Sequence, residues 1–272
     1  MQAKAVRVLA RRRARPCPEV SPVERALLIG APLVVFLVGW EAIARAQVVS
    51  TLFFAGPLDV VRTFSELAAD GELWYHLRAS VSELVLGVAG AVVVGVPLGL
   101  ALGGVRPLEG VLAPYIAAAY AAPRVAFFPL IALWFGTGLT SKALLVFFTV
   151  LFPILINSWT AVKTVDPVLI RAARSFGASR LQLFTKIVLP HSLPFIVAGL
   201  RIGSGIGLLA VYVAETYGGG AGLGYLIVSA GFAYQAAKVF VGVLGLALLG
   251  IVLNQSLGYV ERRLAPWRAS LR

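Results

Sequence analysis

Residues 171–190, RAARSFGASRLQLFTKIVLP, are a basic interruption set between long apolar runs. Just upstream, Asp166 and Pro167 supply an N-cap and a first-turn proline, so a helix is predicted to run to Phe176, where Gly177 offers a left-handed stop. Ser179 and Gln182 then have capping-box spacing, and Leu181, Phe184 and Val188 share one face of a second helix that Pro190 is expected to end. The prediction is two short helices joined at a glycine. Such a hairpin is too short and too polar to cross a membrane, and its shape suits docking.

The rest of the chain is of the opposite character. Of 272 residues, 59% are hydrophobic and 13% charged, and the mean hydropathy is +0.89. That leaves too little polar surface to cover a soluble globule, which excludes a soluble enzyme. Apolar runs long enough to cross a hydrocarbon core about 30 Å thick place six helical spans near 26–46, 80–103, 111–136, 142–164, 192–215 and 238–259. The expected fold class is therefore all-α, an integral membrane bundle.

A net charge of +12 would suggest nucleic acid in a soluble protein, but here its placement reports orientation. With the N-terminus in the cytoplasm, 17 of the 24 Lys and Arg fall on the inner side, and Arg62, Arg78, Lys142 and Lys238 on the outer. Both termini and the hairpin at about 165–190 are then cytoplasmic. Three parts follow: a basic N-terminal tail, 1–25; a membrane domain, 26–264; and a short C-terminal tail, 265–272. The N-terminal tail lacks the apolar core of a removable signal and suits contact with anionic lipid. Cys17 is the only cysteine, so no intrachain disulfide forms, and it carries no assigned role. Between the first two spans, Val60, Val61, Phe64 and Leu67 recur at helical spacing before Gly71, which predicts an amphipathic surface helix.

The hairpin resembles the cytoplasmic loop of binding-protein-dependent ABC importer permeases. Ala172, Ala173, Gly177, Ile187, Leu189 and Pro190 match that family's loop pattern at its spacing. Arg171 is a departure, because the family usually has Glu there. PRVAFFPLIALWFGTG at 123–138 and GLGYLI at 222–227 are similar to the nitrate, sulfonate and taurine branch, and the likeness extends from about Trp40 to Tyr259. What the resemblance implies is a type I ABC importer permease fold in the bacterial plasma membrane. It also implies a second permease subunit as homodimer partner, two ATP-binding subunits that hold ATP and magnesium, and an extracytoplasmic solute-binding protein. The ATPase-coupling residues it implies are Arg171, Ala172, Ala173, Arg174, Gly177, Ala178, Ile187, Leu189 and Pro190. The solute of that branch is nitrate, a sulfonate, taurine or a vitamin precursor, and the chain alone does not select among them.

Within the spans, Gly87, Ala91, Gly95, Gly99 and Gly103 stand four apart, as do Gly199, Gly203 and Gly207. Each set makes a small-residue ridge for close helix packing, or for a pathway or subunit interface whose helices slide. Pro123 and Pro129 should break the third span, with Arg124 at the break. Arg124 is a candidate to attract an anionic solute or to satisfy carbonyls freed there. Arg201, Glu215 and Glu83 complete the pathway candidates. Glu83 departs from the Arg common in related permeases, which weakens transfer of a pathway role. The Gly-rich run at 218–227 follows no strand and has no phosphate-binding Lys, so it is no nucleotide loop. No catalytic constellation can be assembled, and two His with one Cys support no metal site or other cofactor. The rival reading, a self-contained secondary transporter, lacks a visible internal repeat and rows of intramembrane acids.

Overall fold

The computed structural model describes residues 22–48 and 50–264; the basic tail up to residue 21, with Cys17, and the tail 265–272 lie outside the described residues. Every regular element among those residues is helical. In order they are α1 (Pro22–Arg45), α2 (Pro57–Ala69), α3 (Glu72–Gly104), α4 (Arg106–Ala121), a 3-10 turn (Arg124–Phe127) and α5 (Phe128–Phe135). There follow α6 (Leu139–Lys163), α7 (Pro167–Ser175), α8 (Arg180–Gly218), α9 (Leu223–Phe232) and α10 (Ala236–Leu264).

Among the described residues, α3, α6, α8 and α10 are each long and apolar enough to span a membrane, and the bent pair of α4 with the 124–135 segment makes a fifth if it is taken as one span. The sixth expected span corresponds to α1, 24 residues long, in which Glu41 is the single charge between Ala26 and Ala44. The third span is broken as the prolines predict: α4 and the 124–135 segment meet at 81°.

The bundle is organised around α6, because both small-residue ridges close on it. An added Cβ at Gly87 would lie 2.5 Å from the Val146 Cβ, and one at Gly207 2.8 Å from Val150 Cγ2. Gly95 faces Leu151 and Ile154, Gly103 faces Trp159 and Val162, and Gly199 faces Pro153 and Asn157. Without Cβ atoms α3 and α8 can lie against α6 at backbone distance, which replaces the hydrophobic drive that lipid does not supply. Leu145, Val146, Val150 and Ile154 of α6 are completely buried, with Ala91, Ala210 and Val211 around them. Within this chain the ridges are thus packing surfaces, as the simpler of their two readings expects.

One local expectation is corrected and one is narrowed. Pro190 does not end the second hairpin helix: α8 runs 39 residues from Arg180 to Gly218 without interruption. The reason is a π-helical stretch at Phe184–Val188, after which the Leu189 N–H bonds to the Phe184 carbonyl, five residues back. The wider turn carries the ladder past the proline ring, at a position where a missing N–H costs little. The apolar stripe of α2 also divides. Val60 and Leu67, seven apart, are buried with Leu223, Leu226 and Val241, while Val61 and Phe64 are exposed. The helix is therefore a cap pinned over the bundle. Its start is tied to α1 by Trp40 Nε1 donating to the Ala55 carbonyl at 3.0 Å and by the Leu58 N–H donating to Glu41 at 3.2 Å.

Candidate functional site

The hairpin forms for the local reasons its sequence announces. Asp166 Oδ1 accepts the Val168 N–H at 2.7 Å, with Pro167 in the first turn of α7. At the other end Gly177 has φ +81°, the Gly177 N–H reaches the Arg174 carbonyl at 2.9 Å and the Ala178 N–H reaches the Ala173 carbonyl at 3.0 Å. This is the paired bond pattern of a Schellman cap, which satisfies two carbonyls a helix end would leave open. Immediately after it, the Ser179 N–H donates to Gln182 Oε1 at 2.8 Å and the Gln182 N–H donates to Ser179 Oγ at 3.3 Å, a complete capping box. Five consecutive constraints make a stiff elbow at the end of the bundle.

None of the α7 side chains is buried. Arg171, Ala172 and Arg174 are exposed, and Ala173 and Ala178 are half-buried in the elbow. A concavity of about 310 Å³ is lined there by Ala173, Phe176, Gly177, Ala178, Lys186 and Ile187. Leu189 and Pro190, both half-buried, lie where α8 enters the bundle. Phe176 was absent from the sequence-derived site, and it is 92% exposed, with Leu181 at 71%. The signal for it was a phenylalanine directly ahead of the stop glycine, where no lipid or core can cover it.

The remaining candidates do not converge. Arg201 pairs with Glu261 of α10 at 3.2 Å, near the middle of α8. Glu83 and Glu215 are brought together at the far end, and with them come Lys142, Ser80 and His76, which sequence reading passed over. Lys142 Nζ lies 3.1 Å from Glu83 Oε1 and donates to the carbonyls of Gly219 and Ala221 at 3.2 and 3.0 Å. Ser80 Oγ donates to Glu215 Oε1, while Glu215 Oε2 accepts the Gly224 N–H at 2.6 Å. His76 Nδ1 accepts the Gly222 N–H at 3.1 Å, and Ser80 Oγ accepts that of Leu223 at 2.9 Å. All five side chains are buried. They fasten the glycine-rich 219–224 turn, which has positive φ at Gly219, Gly220 and Gly222, to α3, α6 and α8. A signal was present: His76, Ser80 and Glu83 follow i, i+4, i+7 and continue the stripe of Gly87 and Ala91.

Arg124 stands apart. It opens the 3-10 turn between α4 and α5, and its guanidinium carbon lies 5.0 Å from the Tyr120 ring centroid and 5.3 Å from that of Phe152. Its Nη1 is buried and has no hydrogen-bond partner. The carbonyls freed at the break are not what it serves.

The closely clasped apolar helices, with an exposed elbow at one end of them, make a multi-pass membrane protein. The chain belongs to the family of binding-protein-dependent transport system inner membrane components, whose family model matches residues 92–266. It is 36% identical over 256 residues to the taurine transport system permease protein TauC of Escherichia coli K12, covering 92% of this chain and 93% of that one. The putative aliphatic sulfonates transport permease protein SsuC of Bacillus subtilis 168 is 34% identical over 246 residues, covering 90% and 88%. The riboflavin transport system permease protein RibX of Chloroflexus aurantiacus is 36% identical over 263 residues, covering 94% and 98%. An inward-facing structure of the MetNI methionine ABC transporter shares the fold, with a TM-score of 0.62 and 20% identity over 70% of this chain and 94% of that one. The chain is thus a multi-pass permease subunit of an ABC importer, with ATP hydrolysis carried by a separate subunit.

Proposed function

We propose that the 165–190 hairpin docks this subunit onto its ATPase and carries ATPase motion into the bundle, so that a small anionic solute is moved inward. Arg171, Ala172, Ala173, Arg174, Gly177 and Ala178 form the docking face, and Ile187, Leu189 and Pro190 join it to α8. Two copies of the permease pair, each hairpin engages one ATPase subunit holding ATP and magnesium, and a solute-binding protein delivers cargo at the far end. The charge distribution supports a hairpin and both termini in the cytoplasm of a bacterial plasma membrane, since 17 of 24 cationic residues lie on that side. The names of the taurine and sulfonate relatives support a solute that carries a sulfonate group.

The observation that carries this reading is Phe176, 92% exposed on an elbow fixed by its own hydrogen bonds. A large exposed aromatic on a backbone fixed by hydrogen bonds is a binding anchor, since little backbone ordering entropy remains to be lost on docking. Because α8 continues unbroken from the elbow into the core, a displacement at residue 180 is transmitted along one helix toward Gly218. Co-purification in detergent checks it. Phe176→Ala should weaken retention of the ATPase subunit about tenfold, the effect of losing roughly 1.4 kcal/mol of docking free energy, and Arg171→Glu should also weaken it. Unchanged retention for both variants would contradict the docking assignment.

A further inference from the structure

Arg124 lies deep in the membrane. Phe152, which it touches, is 13 residues from Leu139 and 11 from Lys163 at the two ends of α6. At 1.5 Å per residue that is roughly 20 and 16 Å, the middle of a hydrocarbon core about 30 Å thick. An arginine at this depth is tolerated only where it faces protein or a wetted cavity. No carboxylate pairs with it among the described residues, and its chain-internal contacts are the Tyr120 and Phe152 rings. The α4 helix buries none of its residues, and Tyr120 and Phe127 are 43% and 51% exposed.

We infer that Arg124 is the oxyanion-binding residue of the translocation pathway, receiving the sulfonate or carboxylate of the solute midway across the membrane. The inference rests on the reading of the chain as a paired importer subunit, in which the uncovered side of α4 faces the space between the two copies. The two rings hold the guanidinium by cation–π contact, which takes none of its N–H donors; Nη1 is enclosed by the chain, and Nε and Nη2 make no hydrogen bond among the described residues, so they are left for a ligand. A planar fork matches two oxygens of an oxyanion at once. Partial exposure keeps that contact weak enough for release, as conduction through a midpoint requires.

The test uses the complete transporter, with ATPase and solute-binding partners, in liposomes, and taurine, ethanesulfonate and riboflavin as the solutes. Arg124→Gln should lower ATP-driven uptake of both sulfonates at least tenfold with basal ATP hydrolysis and subunit assembly unchanged, and Arg124→Lys should be intermediate. In a Cys17→Ser background, Arg124→Cys should regain uptake on attachment of an aminoethyl disulfide and not of a sulfonatoethyl one, a charge-specific rescue that a purely structural role would not give. Wild-type sulfonate uptake by Arg124→Gln would overturn the assignment and leave the importer reading intact. Failure of the unmodified transporter to carry either sulfonate, with or without riboflavin uptake, would overturn the ligand class. Uptake by this subunit alone, without its ATPase, would instead overturn the importer reading.

Discussion

At the scale of single residues, the buried pair of Lys142 and Glu83 is where one substitution does most harm. Both side chains are nearly inaccessible, and Lys142 also holds two carbonyls of the 219–222 turn. Removing the cation leaves a carboxylate without its partner in a region of low dielectric, which costs about 3 kcal/mol or more. Lys142→Met should therefore lower the melting temperature of the detergent-solubilised protein by several degrees, and adding Glu83→Gln should recover most of the loss. An unchanged melting temperature for Lys142→Met would show the pair to be energetically idle. This cluster was poorly legible in the sequence, because its members come from three helices and a turn. Only the i, i+4, i+7 run of His76, Ser80 and Glu83 was local. The capping of the hairpin was legible for the opposite reason: Asp166, Gly177, Ser179 and Gln182 act within four residues of themselves.

Among elements, the clasp of α3 and α8 on α6 sets the rigidity of the bundle. A side chain at Gly87 must displace Val146 and the Ala143 carbonyl, both within 2.8 Å of the added Cβ. Gly87→Leu should destabilise the fold by about 1–3 kcal/mol or more, the range for overpacking a close contact, read as loss of folded protein in thermal unfolding. The same change at Gly110, which has open space around it, should cost far less. Spacing alone disclosed both ridges, yet not their common target, since a four-residue repeat states that a helix packs closely and is silent on which neighbour it meets. The path through Pro190 was illegible because it depends on a π-helical turn, whose hydrogen-bond shift leaves no compositional trace. The break at Pro123 was legible in kind, and its 81° angle was not.

For the whole molecule, the proposed function divides the work between an apolar bundle, which transports, and a charged, self-capped elbow, which takes in energy. Arg124 near mid-depth and Phe176 at the end lie on segments that α6 and α8 connect through the core, so in that proposal motion at the elbow has a direct route to the pathway. What makes the route mechanical is the stiffness of the Gly177 turn. A β-branched residue at φ +81° strains the backbone on the order of 1–2 kcal/mol, enough to misplace α7 while leaving the buried helices untouched. The most direct test is the ratio of solute taken up to ATP hydrolysed by the complete transporter in liposomes, for the natural chain and for Gly177→Val. The expected result is a variant that inserts and assembles, hydrolyses ATP, and moves at least tenfold less solute per ATP. A variant with the natural ratio would contradict the claim that this hairpin couples hydrolysis to transport.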